Sequence, residues 1–200
     1  MERRKIIFAT GNEGKMKEVR MLLADMDLEP VSLKEAGIEI DIVENGETFE
    51  ENAIIKAKTI MELTGEMVLA DDSGLEVDYL NGAPGVYSAR YLGEDTPYAV
   101  KNKQMLEQLK PAKDEERTAR FVSVIACAFP NGEVITVRGT LEGSIAFEEK
   151  GVNGFGYDPI FYIPEYDMTA AELPPEKKNE ISHRGKALRM MKEQLKKRGI

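Results

Sequence analysis

Hydrophobic residues along the chain switch repeatedly between the period of a strand and that of a helix. An apolar run over 5–10 predicts a strand. Gly11-Asn12-Glu13-Gly14 breaks it, and Met16, Val19, Leu22, Leu23 and Met26 then recur at helical spacing through 15–26. Strands are predicted over 28–33 and 38–43. A long helix follows over 47–64, its buried stripe built from Phe49, Ala53, Ile54, Ala57, Ile60, Met61 and Leu63, with Gly65 as its C-terminal cap. Met67-Val68-Leu69-Ala70 reads as a buried strand ending at Asp71-Asp72, with a turn at Ser73-Gly74 and another extended segment over 75–80. The glycine- and proline-rich stretch 81–91 is an ordered loop, and 96–109 a helix. Two long strands, 119–129 and 133–146, flank the hairpin signal Pro130-Asn131-Gly132. A glycine-rich loop over 151–159 leads to a short strand, 160–163. A polar linker through Pro174-Pro175 precedes a final helix that starts near Ser182.

Early alternation of strands and helices, followed by a hairpin, predicts an α/β fold: an elongated mixed β-sheet flanked by helices, with two lobes and a central active-site cleft. No repeat and no long polar linker divides it, so residues 1–200 are read as one two-lobed domain. A chain of this length buries roughly 70% of its unfolded surface and needs no disulfide to fold. The single cysteine, Cys127, lies in an apolar run and reads as core, which suits a reducing cytoplasm. The start of the chain has no secretory pattern, and no apolar stretch approaches the ~20 residues of a membrane span. A net charge of -9 argues against broad nucleic-acid binding. It leaves room for a small anion held by a few lysines, backbone amides and a divalent metal.

Four segments carry chemistry, and each has an ordinary alternative. Thr10-Gly11-Asn12-Glu13-Gly14-Lys15 presents a bare backbone and a helix N-terminus, suited to phosphate; equally it is a strand-to-helix connection with a solvent-exposed lysine. It is no Walker loop, because Ala9 and Met16 stand where glycine and Ser/Thr are needed. Asp71-Asp72 places two carboxylates against an apolar strand. That suits magnesium with retained water and substrate phosphates, or a proton acceptor; a capped turn is the alternative. Glu44, Glu47, Glu50 and Glu51 surround the start of the long helix, and one of them could reach the same metal. Gly154-Phe155-Gly156-Tyr157-Asp158-Pro159 can offer an aromatic face to a planar base, or can plug a turn. Ser182-His183-Arg184, with Lys178 upstream, offers donors for a carbonyl oxygen or ring nitrogen, or is a surface feature; His183 is the chain's one histidine.

These motifs occur in a fixed order, together with Gly82-Ala83-Pro84-Gly85-Val86-Tyr87-Ser88-Ala89-Arg90-Tyr91. In this the chain closely resembles the inosine triphosphate pyrophosphatase family, the Ham1-like nonstandard purine nucleoside triphosphatases, over nearly its whole length. The resemblance implies hydrolysis of inosine, deoxyinosine and xanthosine triphosphates to the monophosphate and pyrophosphate. It implies a cytoplasmic, magnesium-dependent homodimer that cleanses the nucleotide pool. It gives Thr10, Gly11, Asn12, Glu13, Gly14 and Lys15 to the triphosphate, and Asp72 the role of proton acceptor. Glu44 with Asp72, and also Asp71, would hold Mg2+, with Glu47 as the competitor for the glutamate position. Ser73 would contact substrate. Phe155, Gly156, Tyr157 and Asp158 would hold the base, with Phe155 stacking, and Lys178, His183 and Arg184 would complete its pocket. Two rivals remain at this level: a non-catalytic nucleotide-binding protein of the same fold, and a hydrolase of pyrimidine or modified nucleotides.

Overall fold

The computed structural model describes residues 3–200. Seven strands form one sheet in the order β2-β1-β3-β4-β5-β6-β7. They are β1 (Arg4–Phe8), β2 (Leu28–Ser32), β3 (Val68–Val77), β4 (Thr118–Ala128), β5 (Val134–Ile145), β6 (Phe161–Ile163) and β7 (Met168–Thr169). The helices are α1 (Glu13–Leu22), α2 (Phe49–Thr64), α3 (Tyr98–Gln108), α4 (Pro175–Ile181) and α5 (His183–Lys197). β1 pairs in parallel with β2 and β3, whereas β5, β6 and β7 pair antiparallel, so the sheet is mixed as the sequence implies. The chain divides into two compact units: 1–72 with 123–139 and 184–200, and 73–122 with 140–183.

In the first unit, Ile6 and Phe8 of β1, Met67 just before β3 and Leu69 within it share a buried cluster with Met16 and Val19 of α1, its C-cap Leu23, and Ala187, Leu188 and Met191 of α5. Successive strand residues point to opposite faces, so Ile7, Val68 and Ala70 turn the other way. The fully buried Ala53, Ala57 and Ile60 of α2 supply small and branched packing surfaces. Thr48 caps α2 by accepting from Glu51 N at 3.1 Å, and Gly65 ends it at φ 70°, the left-handed conformation glycine adopts without strain. Cys127 is fully buried, and burial pushes its thiol up to about 12. The second unit has its own core: Leu75 and Val77 of β3, Met105 and Leu109 at α3, and Phe121, Leu141, Ile145 and Phe161 on the sheet. Arg117 lies inside this unit and donates to the carbonyls of Ile145, Leu109 and Ala146 at 2.8, 2.6 and 2.7 Å.

Several expectations are corrected. Residues 38–43 form no strand: Ile38, Ile40 and Ile42 alternate with acids, but no neighbouring strand pairs with them, and Val43 is 71% exposed. β3 does not end at Asp71-Asp72. It runs on through Ser73-Gly74 to Val77, so the two acids sit in mid-strand, and the segment expected at 75–80 is the rest of β3 followed by a 3-10 turn, Asp78–Leu80. The polar linker contains α4, which Pro175 starts at a position where its missing N–H is harmless.

β5 and β6 approach so closely at Gly143 that a Cβ there would lie 2.4 Å from the Tyr162 carbonyl oxygen. Gly143→Ala should therefore lower stability by about 1–3 kcal/mol, because the paired backbones must part. Urea unfolding checks this; an unchanged midpoint would contradict the close approach.

Candidate active site

The mid-strand placement of Asp71 and Asp72 decides what each can do. Strand pleating sends adjacent side chains to opposite faces. Asp71 follows Met67 and Leu69 towards α1 and α5; Asp72 follows Val68 and Ala70 towards α2.

On the first face, Lys15 Nζ lies 3.0 Å from Asp71 Oδ1 and 2.9 Å from Oδ2. Arg184 Nε reaches Asp71 Oδ2 at 3.4 Å, and its Nη1 donates to Glu18 Oε2 at 3.0 Å. Burial alone would raise the Asp71 carboxyl, but the charges of Lys15, Arg184 and Lys56 outweigh it and hold Asp71 well below the usual carboxylate range. Both oxygens of Asp71 thus face cations. The turn before Lys15 is ordered by its own side chains: Asn12 N donates to Thr10 Oγ1 at 3.1 Å, and Asn12 Oδ1 caps α1 by accepting from Lys15 N at 3.1 Å. The Glu13 and Gly14 amides open the same helix, and Glu13 itself is exposed. A Cβ at Gly11 would meet nothing within 4 Å, so the packing of the chain does not itself require glycine there.

On the second face, Lys56 of α2 lies with its ammonium 3.0 Å from Glu44 Oε2 and 3.6 Å from Asp72 Oδ1. Burial would lower the Lys56 ammonium, but Asp71, Asp72 and Glu44 together raise it, so it stays charged. Asp72 is 9% exposed, and burial pushes its carboxyl up to about 6; Lys56 opposes the shift and Glu44 adds to it. A carboxyl that holds its proton more tightly when folded weakens folding as pH rises from the ordinary 3.8 through about 6. Asp71 has the opposite sign and stabilises the fold above its ordinary range. Glu44 stands with Asp72, whereas Glu47 is exposed, its backbone N donating to Glu51 Oε2 at 2.6 Å. Asn52, buried on α2, accepts from Gly46 N at 2.8 Å and pins the segment that carries Glu44. Sequence reasoning passed over Lys56 and Asn52. Asn52 and Lys56, four residues apart, share one helical face, but nothing in the spacing marks that face as the one turned to Asp72.

The second unit holds the remaining candidates. Asp158, 3% exposed, accepts from Phe155 N at 2.8 Å and pairs with Lys178. The Lys178 ammonium lies 4.7 Å from the centre of the Phe155 ring, which is 51% exposed. Gly154 is required twice over: its φ is 74°, and a Cβ would stand 2.1 Å from Asp158 Oδ2. His183 is stacked on Phe121 at 4.9 Å between ring centres. Tyr157 is buried, its hydroxyl donating to Ser88 O at 2.7 Å. Ser73 is half-buried on β3 beside Asp72.

The expected residues therefore fall into two sets. Thr10–Lys15, Glu44, Asp71, Asp72 and Arg184 belong to the first unit; Ser73, Phe155–Asp158, Lys178 and His183 belong to the second. Arg184, expected beside His183, has its guanidinium against Asp71 and Glu18. Among the described residues, no three His, Cys, Asp or Glu side chains stand together as a metal site built of protein alone. A pocket of about 580 Å³ in the second unit, lined by Arg117, Phe147, Lys150, Tyr162 and others, includes none of these residues. If the Lys56 ammonium balances Glu44 and Asp72, Lys56→Met should cost about 3 kcal/mol at pH 8 in a chelator. Urea unfolding measures it; wild-type stability would contradict the balance.

The Ham1 family model matches residues 6–194. A dITP/XTP pyrophosphatase of Clostridium perfringens is 50% identical over 199 residues, spanning 96% of this chain and 98% of its own. One from Desulforamulus reducens is 52% identical over 191 residues, 96% and 95% of the two chains. Among solved structures, a HAM1 protein from Coxiella burnetii superposes with a TM-score of 0.91 at 45% identity, covering 97% of this chain and 99% of that one. The Staphylococcus aureus Ham1 protein gives 0.90 at 40% identity, covering 98% and 100%. The motifs, the mixed sheet and these matches agree: the chain belongs to the Ham1 family.

Proposed function

We propose that this protein hydrolyses inosine, deoxyinosine and xanthosine triphosphates between the α and β phosphates, yielding the monophosphate and pyrophosphate and cleansing the nucleotide pool. The observation that carries this is the concentration of Lys15, Lys56 and Arg184 around Asp71-Asp72, next to the open N-terminus of α1, in a chain whose relatives are named dITP/XTP pyrophosphatases. A triphosphate is a polyanion, and cations with free helix amides form a site for it in an otherwise acidic protein. The bare backbone at Gly11 leaves room for phosphate oxygens to approach the chain.

Asp72 takes the proton of the attacking water; in the metal-free site burial holds its carboxyl near 6. Glu44 and Asp72 would hold the magnesium ion, since both turn carboxylate oxygens towards one cation, the Lys56 ammonium. One or two carboxylates, with water and substrate phosphate, is the donor set magnesium favours. When bound, the metal supplies charge neutralisation at the phosphates. Asp71, with both oxygens on Lys15 and Arg184, orients those two cations and is no metal ligand in this reading. Phe155 stacks on the base, and Lys178, a donor only, suits the oxygen at position 6 of hypoxanthine and xanthine. Adenine carries a donor there, which meets the Lys178 ammonium donor to donor and discriminates against it. A homodimer in the cytoplasm, where the nucleotide pool lies, completes the reading; no helix among the described residues is long and apolar enough to cross a membrane.

Incubation with inosine, xanthosine, adenosine, guanosine and thymidine triphosphates, with and without Mg2+, tests this. Expected are pyrophosphate and monophosphate from the first two, slow turnover of adenosine triphosphate, and loss of activity in chelator. Orthophosphate as product, or equal rates on adenosine triphosphate, would overturn the reading. Binding without turnover would favour the non-catalytic rival.

A further inference from the structure

Two consecutive polar side chains of α3, Lys101 and Asn102, are 1% and 2% exposed. No carboxylate among the described residues pairs with Lys101. Its ammonium donates to Ala89 O and lies 4.9 Å from the centre of the Tyr98 ring. Asn102 Nδ2 donates to Gly156 O at 3.2 Å, while its buried Oδ1 has no partner. Burying a cation without an anion and an amide with an idle acceptor is unfavourable, and a leucine or methionine pair would pack a helix more stably. What the two polar groups hold accounts for their presence. Ala89 lies in loop 81–91, and Gly156 in the loop that carries Phe155. The Tyr157 hydroxyl joins these loops directly, by donating to Ser88 O at 2.7 Å. Tyr98, also on α3, packs edge-on against Tyr157 at 5.3 Å, and its ring lies 3.6 Å from where a Gly156 Cβ would stand. Helix and loops thus form a closed circuit of three hydrogen bonds, each ending on a backbone carbonyl. Gly156, at φ 67°, is the flexible point that the circuit immobilises.

We propose that Lys101 and Asn102 are positioning residues for base recognition: they fix the Gly156-Tyr157 peptide against loop 81–91, and so hold the exposed Phe155 ring and the adjacent backbone in register for a purine. The inference rests on the reading that 155–158 hold the base. It predicts an effect on base affinity and base choice that is separable from the phosphate chemistry of the first unit.

The test is steady-state kinetics of Lys101→Met and Asn102→Leu on inosine and adenosine triphosphates, with thermal unfolding alongside. KM for inosine triphosphate should rise about tenfold, the effect of one misplaced hydrogen-bonding surface, with kcat within about threefold. The preference for inosine over adenosine triphosphate should fall about as much. Lys101→Arg, which keeps a donor, should recover part of the preference. Reduced thermal stability with wild-type KM and base preference would overturn the proposal, since a purely structural role moves stability alone. Should Lys101→Met fail to fold, Asn102→Leu decides. Phe155→Ala separates the two levels. If it leaves KM and base preference unchanged, the reading of 155–158 falls and the inference with it. If it raises KM while the α3 variants do not, only the positioning role is overturned.

Discussion

Two carboxylates in sequence, in the middle of a buried strand, are the constraint around which the first unit is organised. An isolated buried carboxylate is unfavourable by several kcal/mol, and β3 carries two. The pleat sends them to opposite faces, so one cation cannot serve both at close range. Lys15 from α1 and Arg184 from α5 meet Asp71; Lys56 from α2 meets Asp72. Each of the three helices packed on these strands therefore delivers one positive charge. At 4 Å and an effective dielectric near 20, one such pair is worth about 4 kcal/mol before desolvation, which offsets burial only when partners are close. Asp71 has two close partners and is held ionised. Asp72 faces Lys56 at 3.6 Å, an ammonium that Glu44 shares, and burial raises its carboxyl to about 6. The same environment separates a charge-holding aspartate from one able to accept a proton.

Much of this was legible in the residues because local and global patterns agree. Apolar periodicity found β1, α1, β2, α2, α3 and the β4–β5 pair to within a few residues, and Gly65 stopped α2 at its left-handed cap. Errors arose where tertiary context overrides local chemistry. Ser73-Gly74 looks like a turn, yet β3 passes straight through it, and the residues beyond it, Leu75 and Val77, are fully buried. Ile38, Ile40 and Ile42 have strand spacing but no strand beside them. Pro174-Pro175 reads as a linker, though proline at the first helical position opens α4.

Site residues were legible in proportion to their motif context. Glycine-flanked segments such as 154–156 announce themselves, and the collision a side chain at Gly154 would make with Asp158 gives the physical reason. Lys56, Asn52, Lys101 and Asn102 lie inside helices, where a polar residue ordinarily marks the solvent face. Their burial follows from where α2 and α3 pack, which spacing alone does not determine. The resemblance assigns Arg184 to the base pocket with its neighbour His183, and its guanidinium lies against Asp71 and Glu18.

The central claim is that neighbouring aspartates do different work, Asp71 as counter-ion to Lys15 and Arg184, Asp72 as the reacting carboxylate. Paired measurement of Asp71→Asn and Asp72→Asn, by urea unfolding and by pyrophosphate release from inosine triphosphate, tests it most directly. Asp71→Asn should lose about 3 kcal/mol of stability, because Lys15 loses its anion and the buried Arg184 keeps only Glu18. Asp72→Asn should keep its stability at pH 8 and lose turnover by about 100-fold or more. A stable Asp71→Asn, or an Asp72→Asn that turns over within a few-fold of wild type, would contradict the division.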